Sequence, residues 1–382
     1  MKRILLFKSL IPISLTLFGI EFGSRIIANQ PISTSRANLN KNGLKTNLEN
    51  ASAIHESWRN IKTNYFFGDF AERISQKDFL NSKNEKKLVN ENSCKYLILG
   101  DSYSFGWLVD YEEAFPTLIQ NHLQKELNKE IEFINSAVGG WGIADYSSYI
   151  EIYKNKLEKA DLKGIIVFIN FDDPLRAAYS NLYKIKNHGN SFSIEKSNKL
   201  FDSNVGKTKR FFSQKFIRNI YNWSQKNLNI SRLLKNLFIN GYIVRDPLDI
   251  NSPKSNQTKL NNKFKTSSER IAVVERALID LSNISSDIAP LNLIHTGVLH
   301  SKNYSNHPIN EYFFSNKGQN FLASQNMLFD FSTIKEKILL EDKEIIKFDS
   351  HPNELGHLKI SKNILASNSK NSLKKFIKLT CK

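Results

Sequence analysis

The sequence predicts an α/β fold: a central parallel sheet of five strands, helices on both faces, and a basic helical insertion. Three observations carry this. Short aliphatic runs alternate with longer stretches of helical period. One run, Gly164 to Ile169, is nearly all aliphatic, as expected of a strand covered on both faces. A strongly basic stretch, residues 184–262, divides the alternating part in two. With 382 residues, 40% hydrophobic and 11% aromatic, the chain can bury a sizeable core and is not wholly disordered.

The elements follow in order. Lys2 and Arg3 precede an apolar run from Ile4 to Ile20, broken by Lys8 and Pro12. A basic start before an apolar stretch is the pattern of a secretory signal or signal anchor. It is slightly shorter than the ~20 residues that span hydrocarbon, so Lys8 would snorkel. Ser24 to Ala28 is a poor cleavage site. Residues 1–27 are therefore expected to be an uncleaved membrane anchor, ahead of a cleaved signal or an amphipathic cytosolic helix. The chain after Glu21 would then be extracytoplasmic (periplasmic). Residues 28–93 read as a linker and N-terminal extension: Ala28 to Asn50 is rich in Asn, Ser, Thr and Lys, and polarity rises again from Ser75 to Ser93.

Lys95 to Leu99 ends at Gly100 and reads as a buried strand. Glu112 to Leu127 sets Phe115, Leu118, Ile119, His122 and Leu123 at helical spacing. Ile131 to Asn135 is a second strand, Ile143 to Lys159 a helix, and Gly164 to Ile169 a third strand. After the insertion come a helix from Ser267 to Leu281, a strand from Leu291 to Thr296 and a final strand from Ile345 to Phe348. A closing helix runs from Glu354 to Ala366, with Asn353 as N-cap. Segments 94–183 and 263–382 thus form one domain. Ligands in such sheets sit beyond the carboxyl ends of the strands, so chemistry is sought there.

Between Lys184 and Lys235 stand 12 Lys or Arg and two acids, Glu195 and Asp202, which is ten of the net +17. Phe211, Phe212, Phe216, Ile217, Ile220, Tyr221 and Trp223 are interleaved with Lys215 and Arg218, and Ser231 to Phe238 looks like another short helix. The plain expectation is a solvated insertion packing its aromatics on the parent domain. Its charge also suits a membrane surface or an anionic polymer. Nucleic acid is not expected, because no recognised module or repeated basic-aromatic pattern accompanies the charge. Cys94 and Cys381 are too few for a disulfide framework, lack zinc-site spacing and do not fix the redox compartment.

Three segments at strand ends carry candidate chemistry. In Gly100-Asp101-Ser102-Tyr103-Ser104-Phe105-Gly106, a serine tips a strand-to-helix turn, where its Oγ and its own N–H can face one way. Alone, this is equally an ordinary capped turn. Asn135 to Gly142 holds Gly139, Gly140 and Gly142, which let backbone approach a ligand; its spacing is not that of a Walker loop. In Asp349-Ser350-His351-Pro352-Asn353-Glu354-Leu355-Gly356-His357, an extended backbone would put Asp349 and His351 on one side. His357 falls inside the closing helix and reads as structural.

Jointly these segments resemble the SGNH (GDSL-like) hydrolase superfamily, the membrane-anchored bacterial members in particular, over residues 96–183 and 267–366. The resemblance implies a flavodoxin-like three-layer α/β/α fold and a Ser–His–Asp triad. Ser102 would be the nucleophile, His351 the general base and Asp349 its partner, with the N–H groups of Ser102 and Gly140 in the oxyanion hole. One departure stands out. The family's Gly-x-Asn-Asp block supplies an Asn donor to that hole, but here the strand continues Asn170-Phe171-Asp172-Asp173, with Asp172 where Asn is expected. A carboxylate there would repel an oxyanion unless protonated. Otherwise Asn170 would serve from a shifted register, or the hole would have backbone donors only.

The resulting expectation is a serine esterase or O-acyltransferase that acts, through an acyl-enzyme, on acyl esters of a cell-envelope glycan, chiefly O-acetyl. The alternatives are a lipid esterase or lysophospholipase, and a catalytically silent glycan-binding protein on the same fold. No cofactor or metal is expected. A metal-dependent phosphoesterase built on Asp101, Asp349, His351 and His357 would need more ligands of regular spacing than the chain offers.

Overall fold

The computed structural model describes residues 2–27, 34, 36–39, 44–56, 62–83, 93–178, 180, 182–189, 191–196, 214–239, 267–299, 307–325, 327–330, 338–346, 349 and 351–382. The principal elements are α1 (Lys2–Ile27), β1 (Lys62–Phe67), β2 (Arg73–Ile74), β3 (Cys94–Leu99), α2 (Ser102–Phe105), α3 (Phe115–Leu127), β4 (Ile131–Asn135), α4 (Ile143–Glu158), β5 (Leu162–Ile169), α5 (Asp172–Ala178), α6 (Gln214–Asn227), α7 (Asn229–Ile239), α8 (Ser267–Ser286), β6 (Leu291–His295), β7 (Leu328–Asp330), α9 (Glu354–Leu365) and α10 (Leu373–Thr380). They divide into two compact units. One comprises residues 1–36, 53–64 and 205–253, the other 37–52, 65–204 and 254–382.

The larger unit is built on the strand order β7-β6-β5-β3-β4, every neighbour parallel. Numbered along the chain and read from the β4 edge, this is 2-1-3-4-5, the flavodoxin-like order. Alternation along each strand fills two cores. Leu97, Leu99, Ile165 and Val167 pack against α4 and α8 through Tyr149, Ile150, Val274 and Leu278. Tyr96, Ile98, Ile166 and Phe168 face the other way, onto Ile119, Leu123, Ile360 and Phe376 of α3, α9 and α10. This is the expected three-layer α/β/α arrangement, with strands mostly apolar because both faces are covered by helices.

Three regions depart from the expectations. The fifth parallel strand is β7, not Ile345 to Phe348. Ile345 makes a single antiparallel bridge to Pro352 after a 3-10 turn over Asp342–Glu344, while Lys347 and Phe348 lie outside the described residues. The extension is part of the sheet: β2 pairs antiparallel with β4 at Arg73 and Asn135, and β1 pairs with β2. Tyr65, Phe67 and Arg73 are buried there. The insertion begins with an antiparallel hairpin, Tyr183–His188 with Ser191–Lys196, whereas Phe211 and Phe212 lie outside the described residues.

The smaller unit holds α1, α6 and α7. Among the described residues no helix is long and apolar enough to cross a membrane, so a spanning anchor finds no support here. Glu21 and Arg25 sit within α1 itself, joined by an ion pair.

Cys94, at the start of β3, and Cys381, just after α10, form a disulfide across a sequence separation of 287, with Cα atoms 5.6 Å apart. A single bridge is not a framework, but it ties the last helix to the strand that leads into Ser102. Closing so long a loop limits the unfolded chain by an amount on the order of 5 kcal/mol in the chain-entropy relation. The double variant Cys94→Ala/Cys381→Ala should therefore unfold about 10 °C lower in calorimetry. An unchanged midpoint would mean that the bond contributes nothing.

Candidate active site

Ser102 opens the short helix α2 directly beyond β3. Asp101 is its N-cap, and Oδ1 accepts from the Tyr103 N–H at 2.9 Å. An Asp at this position satisfies one of the orphan amides of the first turn. Gly100 is required by space: a Cβ there would lie 2.3 Å from Ser104 Oγ and 3.2 Å from the Phe168 carbonyl. Gly106 closes the turn with φ +75°, in the left-handed region. Ser102 is thus held on a short, rigid elbow, 8% exposed.

His351 reaches this elbow from 249 residues away, its Nε2 2.9 Å from Ser102 Oγ. Its Nδ1 is hydrogen-bonded to Asp349 Oδ1. The other carboxylate oxygen, Oδ2, accepts from the Trp107 indole N–H at 3.1 Å. The expected extended segment is instead a turn: the Asp349 N–H donates to the Ile346 carbonyl at 3.0 Å and the Ile346 N–H to the His351 carbonyl at 2.7 Å. The pair meets because the backbone folds back, not because residues two apart share a strand face.

The rest of that motif also has a physical reading. Asn353 accepts from the N–H groups of Leu355 and Gly356, capping α9, and its Nδ2 donates to the Lys343 carbonyl at 2.7 Å. A Cβ on Gly356 would lie 2.3 Å from the Glu344 carbonyl, so only glycine lets α9 start this close. His357 is wholly buried and accepts from the Phe115 N–H through Nδ1 at 3.2 Å. Burial, with repulsion from Arg73 and His351, pushes its imidazole down to about 3. It is structural, as expected. Among the described residues no cluster of three or more His, Cys, Asp or Glu is placed to hold a metal ion.

The oxyanion candidates separate. Gly140 is at the exposed tip of the loop after β4, with φ +89° and open space where a Cβ would be. The loop is tied to the serine strand: the Val138 N–H donates to the Gly100 carbonyl at 3.1 Å. Asn170 is engaged at both ends of its carboxamide. Its Nδ2 donates to Asp101 Oδ1 at 2.8 Å, and its Oδ1 accepts from the Thr296 hydroxyl. One of the two Nδ2–H groups thus holds the serine elbow. Asp172, the first residue of α5, is paired through Oδ2 with Arg176 Nη2 at 3.2 Å.

Sequence reasoning missed Arg176, which spans three carboxylates. Its Nη1 lies 3.0 Å from Asp101 Oδ2 and 3.4 Å from Asp173 Oδ1, and donates to the Trp141 carbonyl at 2.9 Å. Burial disfavours the charge of Arg176, but the facing Asp101, Asp173 and Asp172 outweigh it and hold the guanidinium protonated. Asp173 is fully buried. Burial and the nearby Asp101 drive its carboxyl upward, partly countered by Arg176 and by donors from Asn170 and Tyr146.

Also missed was the support from the extension. Arg73 is 1% exposed and donates to the carbonyls of Phe105 and Gly106, at the end of the serine elbow, at 2.9 and 2.6 Å. Tyr65 accepts from the Leu108 N–H at 2.8 Å and stacks on Trp107, the residue that holds Asp349. Lys45 donates to the Gly139 carbonyl at 2.8 Å and Asn47 to the Ala137 carbonyl at 3.0 Å, fixing the glycine loop. The only local signal was the aromatic cluster Tyr65-Phe66-Phe67 in a polar stretch.

No protein-family model and no curated protein matches the sequence. Among solved structures, the chain is similar to the psychrotrophic esterase EstA from Pseudoalteromonas sp., at 14% identity and TM-score 0.37, over 75% of this chain and 100% of that one. It is also similar to a member of the lipolytic protein G-D-S-L family from Veillonella parvula, at 11% identity and TM-score 0.36, over 72% and 97%. A third is the acetyl xylan esterase Axe2 from Geobacillus stearothermophilus, at 12% identity and TM-score 0.33, over 71% and 92%. Scores below 0.5 leave the reading of the site to its own geometry.

The buried imidazole of His357 gives a pH test. Unfolded, it takes a proton below about 6.5; folded, only below about 3. Between these values the unfolded state binds more protons, so this residue makes stability rise with pH by about 1.4 kcal/mol per unit and lose that amount as pH falls. Glu72 and Asp145, pushed up by burial to about 7 and about 6, act oppositely. Relative to the wild type, His357→Gln should remove about 1.4 kcal/mol per pH unit from the slope of urea-unfolding free energy between pH 4 and 6. Parallel wild-type and variant curves would refute a neutral buried imidazole.

Proposed function

We propose that this chain is a serine ester hydrolase or acyltransferase of the SGNH type, and that its substrate is an O-acetylated cell-envelope glycan. The reading rests on the Ser102–His351–Asp349 constellation at the carboxyl end of the sheet, with Ser102 Oγ and His351 Nε2 at hydrogen-bond distance. Nucleophile, base and orienting carboxylate in this sequence of contacts are what covalent acyl transfer requires.

In the mechanism, Ser102 Oγ attacks the ester carbonyl carbon while His351 Nε2 takes its proton. Asp349 stabilises the resulting imidazolium through Nδ1–H, and Trp107 holds that carboxylate. Negative charge on the carbonyl oxygen is met by the backbone N–H groups of Ser102 and Gly140. Collapse of the tetrahedral intermediate breaks the bond to the leaving alcohol, which takes the proton from His351. Water or a sugar hydroxyl then attacks acyl-Ser102, again deprotonated by His351, and releases acid or a new ester.

The glycan reading is supported by the net +17, which draws the protein to anionic envelope polymers. The disulfide supports an oxidising compartment. Trp107, half-exposed beside His351 with ring centroids 6.0 Å apart, is a flat apolar surface suited to a sugar face.

A fluorophosphonate should label the protein at Ser102, and Ser102→Ala should abolish labelling and lower hydrolysis of p-nitrophenyl acetate by about 10⁴-fold or more. Folded protein that takes no label would favour a silent binding protein. Comparing an acetylated glycan with a lipid ester as substrate separates the glycan reading from a lipase. Trp107→Phe removes one hydrogen bond to a charged acceptor, so kcat should fall about tenfold with KM unchanged. A change confined to KM would mean that Trp107 acts only on the substrate and that its hydrogen bond to Asp349 does not serve the chemistry.

A further inference from the structure

Among the described residues, the smaller unit exposes apolar surface on two of its helices. In α1, residues 14–20 are all exposed. Leu15, Leu17, Phe18 and Ile20 are 46–71% exposed, and at 3.6 residues per turn they point around the whole helix. A helix apolar on every side is stable only within an apolar medium. On α6, Ile220 and Trp223 are 52% and 58% exposed, one turn apart on the same side.

The two surfaces belong to one body. Glu21 of α1 caps α7: Oε1 accepts from the Asn229 N–H at 2.7 Å and Oε2 from the Ile230 N–H at 2.9 Å. The Asn229 side chain donates to Ser24 Oγ at 3.1 Å, and Arg25 donates to Glu21 and to the Asn227 carbonyl. Burial opposes ionisation of Glu21, but these donors outweigh it and hold its carboxyl below the usual range. The clasp lies just where the uncharged part of α1 ends, so the charges that would be costly in lipid are used in joining the helices.

Charge identifies the occupant. The spans of this unit carry sixteen Lys and Arg against four Asp and Glu, a net +12 of the chain's +17. We infer that this unit is a docking device for an anionic lipid bilayer: the 14–20 stretch and the Ile220–Trp223 face enter the acyl boundary while the basic residues meet lipid headgroups. An anionic glycan would account for the charge but not for a helix apolar all round. A protein partner would account for the apolar surface but not for the charge. The inference is independent of the ester chemistry.

The test is cosedimentation of the full chain with phosphatidylcholine vesicles, with and without phosphatidylglycerol, beside heparin as a soluble polyanion. The wild type should partition at least about tenfold more strongly onto the anionic vesicles, and less so at high salt. Phe18→Glu and Trp223→Ala, both at exposed positions, should each weaken partition about tenfold, whereas Phe18→Leu should not. Circular dichroism and turnover of p-nitrophenyl acetate should stay unchanged in all three. A wild type that ignores both vesicle types, binds heparin alone, or self-associates without lipid would overturn the inference.

Discussion

Asp101 is a fully buried carboxylate, and a charge taken out of water persists only where donors surround it. Here they come from three elements: the Tyr103 amide of α2, the Asn170 carboxamide at the end of β5 and the Arg176 guanidinium of α5. These contacts fix the first turn after β3, and that turn sets the direction of Ser102. Deleting one partner of such a buried pair costs on the order of 3–5 kcal/mol, because the remaining charge has nowhere to go. The position of Ser102, the proposed nucleophile, is therefore decided by the electrostatics of its neighbour more than by its own hydrogen bond.

The same constraint explains the departure at Asp172. Its carboxylate is bound to Arg176, which also serves Asp101 and Asp173. One guanidinium among three carboxylates leaves no surplus positive charge to offer an oxyanion. In the proposed reaction, charge developing on the substrate then falls to the backbone N–H groups, which makes the precision of the glycine loop more important. That loop is pinned from the side by Lys45, Asn47 and the Trp141 indole, which donates to the Lys45 carbonyl at 2.7 Å. The extension, plain in composition, is thus part of the machinery that positions the site.

What was legible in the sequence follows from burial. β3 and β5 appear as nearly continuous apolar runs, while β4 and β6 carry Glu132, Asn292 and His295 within theirs; a period-based reading still finds all four within a residue or two. β7 is a three-residue edge strand with only Leu328 and Phe329 apolar, too short to stand out, and the more aliphatic Ile345-Ile346 took its place. Ser102, His351 and Asp349 could be found because each sits in a motif whose neighbours have local duties. Arg73, Tyr65 and Arg176 could not be found. Their partners Phe105, Leu108 and Asp101 lie about 30 to 75 residues away along the chain, and the Asp172 and Asp173 beside Arg176 do not record Asp101.

The histidine's placement on a turn rather than a strand has a consequence of its own. A strand residue is fixed by its ladder, but a loop residue must be fixed by other means, and here the two ends of the loop are pinned separately. Toward its start, the Asn353 N–H and Nδ2 bind the carbonyls of Glu344 and Lys343, and Ile346 closes back on His351. Toward its end, α9 begins at once, capped by Asn353 and pressed so close that position 356 must be glycine. The aromatic rings of Tyr103 and Trp107, 5.5 and 6.0 Å from the imidazole, restrict the ring laterally. Between such supports the imidazole can rotate little, so the Nε2–Oγ contact is set by the frame around it before any substrate arrives.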